Sequence, residues 1–333
     1  MKTNNTFTEI KEVLDKANNI LIISHILPDG DNIASVLGMA ISLGLLGKNT
    51  TALCNGTLPQ YYEFLPHRDK LVSVAEAQCQ QYDLTLALDM SDKGRGGAEL
   101  DFAYNSPLVV NIDHHISNDY FGDYNYVDPG AAATAQILTD FLLQSGYPLN
   151  KDIATSFYTG ILTDSGNFTY GNTTAATLAL ASELLRYEPD LAEIRLNVFE
   201  NVSFKRKKIL GHILNNAVEL PSHNLVYSTL TYGECQALKA EGQDFEGAID
   251  HLIGVNNVKM ALFFREMEPN LVKVGFRGRL GADVTVVAGK FGGGGHKAAG
   301  GCSVAGDFTA IVQQVLEACV EYMNNLEYTE NLE

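Results

Sequence analysis

Apolar runs that end abruptly in a carboxylate or a histidine constrain this chain more than any other feature. Asn19-Ile20-Leu21-Ile22-Ile23 leads into Ser24-His25, Asp83-Leu84-Thr85-Leu86-Ala87-Leu88 into Asp89, and Pro107-Leu108-Val109-Val110-Asn111-Ile112 into Asp113-His114-His115. A short apolar run with little polar alternation suits a strand covered on both faces, as in a parallel sheet flanked by helices. In such sheets ligands gather beyond the carboxyl ends of the strands. Any one run read alone is also satisfied by a strand-end turn with surface histidines, so the pattern counts as a set.

The segments between these strands complete a βαβ pattern. A first helix is expected over Thr8 to Lys16 and an apolar one from Ile33 to about Leu46, after the polar loop Ser24-His25-Ile26-Leu27-Pro28-Asp29-Gly30-Asp31-Asn32. Asp31 or Asn32 alone could be an ordinary helix N-cap. A histidine and two carboxylates within seven residues ask for more. A second strand is expected at Thr50–Cys54, and helices over 131–145, 152–162, 173–187 and 190–200. The helix over 152–162 ends at Thr163-Asp164-Ser165-Gly166, where Asp164 also admits a capping reading.

At 333 residues the chain exceeds one ordinary core, which predicts two domains. The expected division is a catalytic domain over 1–188, a helical linker over 189–216 that contains Pro189, and a smaller α/β domain over 217–333, with the active site in the cleft between lobes. Short strands are expected at Leu225–Leu230, Lys259–Phe264 and Leu271–Arg277, and a helix from Ala282 to Lys290. That helix precedes Phe291-Gly292-Gly293-Gly294-Gly295-His296-Lys297, whose glycines would let backbone N–H groups approach an anion closely. A flexible turn is the plainer reading. It is not a Walker A loop, because Ala298 follows Lys297 where Ser or Thr is required.

Charge narrows the partners. The net charge is −17, and residues 1–199 carry 11 Lys/Arg against 24 Asp/Glu. Affinity for a long polyanion comes largely from cationic side chains, so this balance argues against long nucleic acid as a partner. A small anion held through metal ions is compatible with this balance. Residues 271–300 are the basic exception, with Lys273, Arg277, Arg279, Lys290 and Lys297 against Asp283. No run approaches a membrane span, and the amino-terminal residues lack the apolar stretch of a signal peptide. The five scattered cysteines suit reduced thiols in a cytoplasm.

Four separated elements therefore offer ligands: His25/Asp29/Asp31, Asp89, Asp113/His114/His115 and Asp164. Mixed imidazole and carboxylate donors suit Mn²⁺ or a similar divalent ion such as Mg²⁺ or Co²⁺, and the absence of clustered cysteines argues against structural zinc. Six strong ligands are more than one catalytic ion can use. Two ions sharing a carboxylate suit phosphoryl transfer, for they lower the pKa of a bound water and clamp the phosphate.

Ser24-His25-x-x-Pro28-Asp29-Gly30-Asp31, Asp89-x-Ser91-Asp92, Asp113-His114-His115 and Thr163-Asp164-Ser165-Gly166 resemble, in order, the four motifs of the DHH phosphoesterase superfamily. Gly292-Gly293-Gly294-Gly295-His296 resembles the signature of its DHHA1 substrate domain. Length and layout are most similar to the branch that cleaves very short RNAs and removes the 3′-phosphate from 3′-phosphoadenosine 5′-phosphate (pAp). The resemblance implies that His25 and Asp29 hold one ion, that Asp31, His114 and Asp164 hold a second, and that Asp89 bridges them. His115 would face the scissile phosphate, with Asp113 behind the histidines. Arg277, Gly292, Gly293, Gly294, Gly295 and His296 would contact the nucleotide. Asn32, Ser165 and Gly278 depart from residues common at their positions, and only Gly278 adjoins an expected substrate contact.

The implied substrates are short oligoribonucleotides and pAp, with no membrane partner. The oligomeric state stays open, a homodimer being one option. The alternatives are a cyclic or linear di-adenylate phosphodiesterase of the same superfamily and a metal-loaded nucleotide sensor without catalysis. A family II pyrophosphatase lacks the four-glycine loop, and a long-strand exonuclease fits the charge poorly.

Overall fold

The computed structural model describes residues 3–245 and 247–330. The chain divides after Asn201 into two compact units. The amino-terminal unit is built on strands β1 (Asn19–Ile23), β2 (Asn49–Leu53), β3 (Leu71–Val72), β4 (Leu84–Leu88), β5 (Val109–Asp113) and β6 (Tyr124–Val127). Its helices are α1 (Phe7–Lys16), α2 (Gly30–Leu45), α3 (Val74–Ala77), α4 (Thr134–Ser145), α5 (Lys151–Asp164), α6 (Ala175–Leu185) and α7 (Leu191–Arg195).

All pairings in this sheet are parallel, in the order β3-β2-β1-β4-β5-β6. The chain winds outward one way from β1 and the other way from β4, which makes the β1/β4 border the topological switch point. Both faces are buried, which is why these strands read as unbroken apolar runs. Ile20, Ile22, Leu84, Leu86 and Leu88 face a core shared with α2, α4 and α5, while Leu21, Ile23 and Ala87 face a second one under Leu100 and Ala103.

Three local expectations change. Helix α2 begins at Gly30 rather than Ile33, because the Asp29 carboxylate accepts a hydrogen bond from the Asn32 N–H and is itself the N-cap. Asp31 and Asn32 thus lie in the first turn, not at the cap. The short edge strands β3 and β6 escape the apolar-run criterion, being two residues long and interrupted by Asn125 respectively. The helix expected over 190–200 is α7 followed by a π-helical turn, Leu196–Glu200.

The second unit holds β7 (Val218–Leu220), β8 (Leu225–Leu230), β9 (Met260–Glu268), β10 (Leu271–Gly278), β11 (Gly294–His296) and β12 (Ala299–Ala305). Its helices are α8 (Phe204–Asn215), α9 (Tyr232–Leu238), α10 (Ala248–Ile253), α11 (Thr285–Lys290) and α12 (Phe308–Glu330). The strand order is β11-β12-β10-β9-β8-β7, antiparallel except for the β8/β9 pair. Val284, Val287, Ile311, Val315 and Met323 cover one face of the sheet, and Ile209, Ile213, Ile249 and Leu252 cover the other.

The glycine run is not an open loop. Gly294 and Gly295 belong to an edge strand paired with Gly301 and Gly300 of β12. A Cβ on Gly293 would lie 2.2 Å from the Gly301 carbonyl oxygen, and one on Gly295 would lie 2.4 Å from that of Ala299. Glycine is needed here for two backbones to approach each other. Among the described residues no helix is long and apolar enough to cross a membrane.

Candidate metal centre and active site

The ligand-bearing residues follow the strand ends of the first unit. His25 comes two residues after β1, Asp89 immediately after β4, and Asp113-His114-His115 at the end of β5. Asp29 and Asp31 open α2, and Asp164 closes α5. A buried-sheet architecture with its switch point between β1 and β4 therefore delivers all four motifs to one end of the sheet. Asp89 adopts φ 58°, the left-handed region that Asp and Asn tolerate better than other side-chain-bearing residues. A sharp reversal directly after the strand thus turns this carboxylate, 2% exposed, into the cluster.

The distances define three overlapping groups of ligand atoms: the triads His25/Asp29/Asp89 and Asp31/His114/Asp164, which share no member, and Asp89/His114/His115, which links them. His25 Nε2 lies 3.8 Å from Asp29 Oδ2 and 3.6 Å from Asp89 Oδ2. His114 Nε2 lies 3.3 Å from Asp164 Oδ2 and 3.5 Å from Asp89 Oδ1. The two oxygens of Asp89 therefore point to different triads.

These contacts are too long for good hydrogen bonds; His114–Asp164 at 3.3 Å already has the spacing of two ligands on one cation, and the others lie a few tenths of an ångström beyond it. Ligand bonds of about 2.1 Å at octahedral to tetrahedral angles separate donor atoms by roughly 3.0–3.4 Å. His25 Nε2 is moreover a buried ring nitrogen with no hydrogen-bond partner. An orphaned buried donor or acceptor costs about 1–3 kcal/mol, so a cation at this position would offset a real penalty.

The protein's own charges tell the same story. Burial, then the charges of Asp89 and Asp164, pushes the Asp31 carboxyl well above the usual range, although the Ala135 N–H pulls the other way. Burial, then Asp89 and Asp29, does the same to Asp164. For Asp89 burial is outweighed by His25, His114 and His115, which hold its carboxyl down at about 2. Carboxylates crowded in this way repel each other unless divalent cations lie among them.

A supporting layer fixes the ligands. The Asp31 carboxylate accepts from the Thr134 and Ala135 N–H groups at 2.6 and 2.9 Å, at the amino end of α4. Thr134 Oγ1 donates to Asp89 Oδ1 at 3.0 Å. A Cβ on Gly160 of α5 would come within 2.8 Å of Asp31 Oδ1, so glycine there makes room for the carboxylate. His115 Nδ1 pairs with Asp113 Oδ1 at 2.7 Å, and that hydrogen bond, stronger in effect than the opposing burial, raises the imidazole's pKa. Asp113 is fully buried and points no oxygen at either triad. Its other oxygen accepts from Asn118 Nδ2 at 2.6 Å, and Asn118 also donates to Asn111 Oδ1 and the Met90 carbonyl.

Sequence reasoning missed Thr134, Asn118 and Asn111. Thr134 bonds to Asp31 across 103 residues, which no local pattern records. Asn111 did leave a signal, since an Asn inside an apolar strand must find partners. Substituting Asn118 by Ala removes three buried hydrogen bonds and frees the Asp113–His115 pair to turn. Activity should fall about 10–100-fold with metal affinity nearly retained. Steady-state rates beside Mn²⁺ titration test this, and an unchanged rate would refute the positioning role.

In the second unit, Arg277 Nε donates to Asp250 Oδ1 at 2.7 Å, which ties it to α10. His296 is exposed on the hairpin beside the exposed Gly294 and Gly295.

Residues 19–161 match the model of the DHH family N-terminal domain, and residues 223–325 that of the DHHA1 domain. Over 324 residues the chain is 35% identical to the bifunctional oligoribonuclease and PAP phosphatase NrnA of Thermus thermophilus, covering 96% of this chain and 95% of that one. The chain belongs to the DHH family. It is 26% identical to the Bacillus subtilis protein of the same name over 89% of this chain and 93% of that one. A crystal structure of an exopolyphosphatase-related protein from Bacteroides fragilis superposes with a TM-score of 0.90 at 25% identity, over 96% of this chain and 97% of that one. The DHH and DHHA1 matches fall on opposite sides of the division after Asn201. The six residues expected as ligands lie in the two triads, and His115, expected to face the phosphate, lies in the third group with Asp89 and His114.

Proposed function

We propose that this chain is a phosphoesterase that hydrolyses short oligoribonucleotides to mononucleotides and converts pAp to AMP and phosphate, using two divalent ions, Mn²⁺ foremost. One observation carries the reading: Asp89 turns Oδ2 toward His25 and Oδ1 toward His114, so a single buried carboxylate would serve an ion in each triad. Near-full-length similarity to proteins named for these two activities supports the substrate class.

His25 and Asp29 would hold one ion, Asp31, His114 and Asp164 the other, with Asp89 between them. Bound there, the ions would supply an acidified water and electrostatic neutralisation of the phosphate. The chain's own residues do the remainder. Asp113 holds the His115 ring by Nδ1, which leaves Nε2 to meet a phosphate or leaving-group oxygen; the raised imidazole pKa suits a proton donor. Thr134 orients Asp89, and the amino end of α4 orients Asp31. Arg277 and the Gly292–His296 segment would take the nucleotide, the Arg277 guanidinium suiting a phosphate in an otherwise acidic chain.

The test is a substrate panel in Mn²⁺: pAp, RNAs of two to five nucleotides, linear pApA and cyclic di-AMP. AMP with inorganic phosphate from pAp, and mononucleotides from the short RNAs, are expected. Absence of turnover on both would refute the assignment, and a dominant rate on cyclic di-AMP would replace it with the di-adenylate alternative.

A further inference from the structure

We propose that Arg95 is a substrate-binding residue of this centre, its guanidinium taking the non-bridging oxygens of the phosphate under attack. The inference rests on the phosphoesterase reading and adds to it a residue of the amino-terminal unit.

Arg95 lies in the 3₁₀ turn Lys93–Gly96 that follows β4 and Asp89. Its backbone is clamped on two sides. Its N–H donates to Asp92 Oδ1 at 3.2 Å, and its carbonyl accepts from the Ile26 N–H at 2.9 Å, one residue beyond His25. The next carbonyl, Gly96, accepts from the Asn55 side-chain amide. Arg95 therefore joins the loop that carries His25 to the loop that carries Asp89, across the switch point where the ligands meet.

The side chain contrasts with that backbone. An arginine presents five donors. Among the described residues no acceptor takes a hydrogen bond from this half-buried guanidinium, and no carboxylate pairs with it. That is unexpected in a unit where acids outnumber bases by more than two to one. Even the exposed Arg186 and Arg195 pair with glutamates, at 3.3 and 2.9 Å. Asp92, the acid nearest in sequence, has both oxygens engaged, by Ser91 Oγ and by the Arg95 N–H. The charge of Arg95 is nonetheless felt at Asp29 and at His115, one member of a triad and the residue beside the other.

A half-buried, unpaired guanidinium held by a rigid backbone beside metal-ligand groups lacks only an anion. Its planar fork matches two phosphate oxygens, whereas the ligand carboxylates repel phosphate. Positive charge fixed there would also act on the charge that builds on the phosphate during transfer.

Arg95→Gln and Arg95→Lys in the full chain loaded with Mn²⁺ test this. For Arg95→Gln, kcat/KM on pAp should fall roughly 100-fold, and Arg95→Lys should recover only part, since a point charge replaces the fork. Mn²⁺ affinity should stay within about twofold of wild type, while affinity of the Mn²⁺-loaded protein for inorganic phosphate, measured by calorimetry, should drop about tenfold or more. Guanidinium ion added to Arg95→Ala should restore part of the rate. Phosphate affinity unchanged in Arg95→Gln would overturn the proposal, as would parallel loss of Mn²⁺ binding in both variants, which marks a scaffold residue. If the wild type turns over no phosphoester, the functional reading fails, and the phosphate titration still decides the role of Arg95.

Discussion

Asp89→Asn is expected to lower kcat/KM on pAp and on short RNA by at least roughly 10³-fold, a loss of about 4 kcal/mol of transition-state stabilisation. The replacement keeps the shape but not the function. Asparagine tolerates the φ of 58° at this position nearly as well as aspartate, and its Oδ1 can still accept from Thr134 Oγ1. It is neutral, however, and offers one acceptor oxygen where two are needed, so His25 and His114 can no longer share it. Asp89→Ala is the poorer test, because alanine in the left-handed region adds about 1–2 kcal/mol of backbone strain to the loss of the ligand. Circular dichroism and urea unfolding of the metal-free Asn variant should match wild type closely. Activity within tenfold of wild type would remove Asp89 from its shared position and, with it, the two-ion reading.

The sequence made the ligand positions readable for a physical reason. Strands buried on both faces leave uninterrupted apolar runs, and a polar residue at the end of such a run is conspicuous. Hence β1 is legible over its whole length, and His25, Asp89 and Asp113 stand out without alignment. The same logic fails at the sheet margins. Leu71–Val72 is too short to carry a period, and Tyr124–Val127 is interrupted by Asn125, which is buried because it bonds to Gly122 and Asn5. The start of α2 was obscured because Gly30, Asp31 and Asn32 are all turn formers in isolation. What places them in a helix is the Asp29 side chain reaching the Asn32 N–H, together with packing of Gly30 so close that a Cβ would meet Thr163 Oγ1 at 2.5 Å. Composition suggested a flexible anion-binding loop at Gly292–Gly295, whereas the tertiary structure uses Gly293 and Gly295 for close backbone contact with β12. The residues that support the ligands were least visible, since Thr134 and Asn118 act through contacts that only the fold creates.

Metal loading should change stability as much as Asp89→Asn changes activity. The triads crowd Asp31, Asp89 and Asp164 with His25, whose buried Nε2 has no hydrogen-bond partner, so the protein alone bears both carboxylate repulsion and an unmet polar group. Ions that bind the folded state and not the unfolded chain stabilise it by about 2.7 kcal/mol each at a hundredfold excess over Kd, or roughly 5 kcal/mol for two. At about 2–4 °C per kcal/mol for a unit of this size, Mn²⁺ should raise the melting temperature by roughly 10–20 °C over an EDTA-treated sample. Two further measurements separate specific binding from a general salt effect. Ca²⁺, which prefers more oxygen ligands at longer distances, should stabilise less than Mn²⁺ at equal ionic strength. Asp89→Asn should lose more than half of the Mn²⁺ shift, because each triad then lacks one of its anionic neighbours. A melting temperature indifferent to Mn²⁺, or a shift of the same size in Asp89→Asn, would show that the triads do not hold ions together. The stepwise form of the Mn²⁺ titration then distinguishes one ion from two, since a single carboxylate shared between two sites makes the second binding event depend on the first.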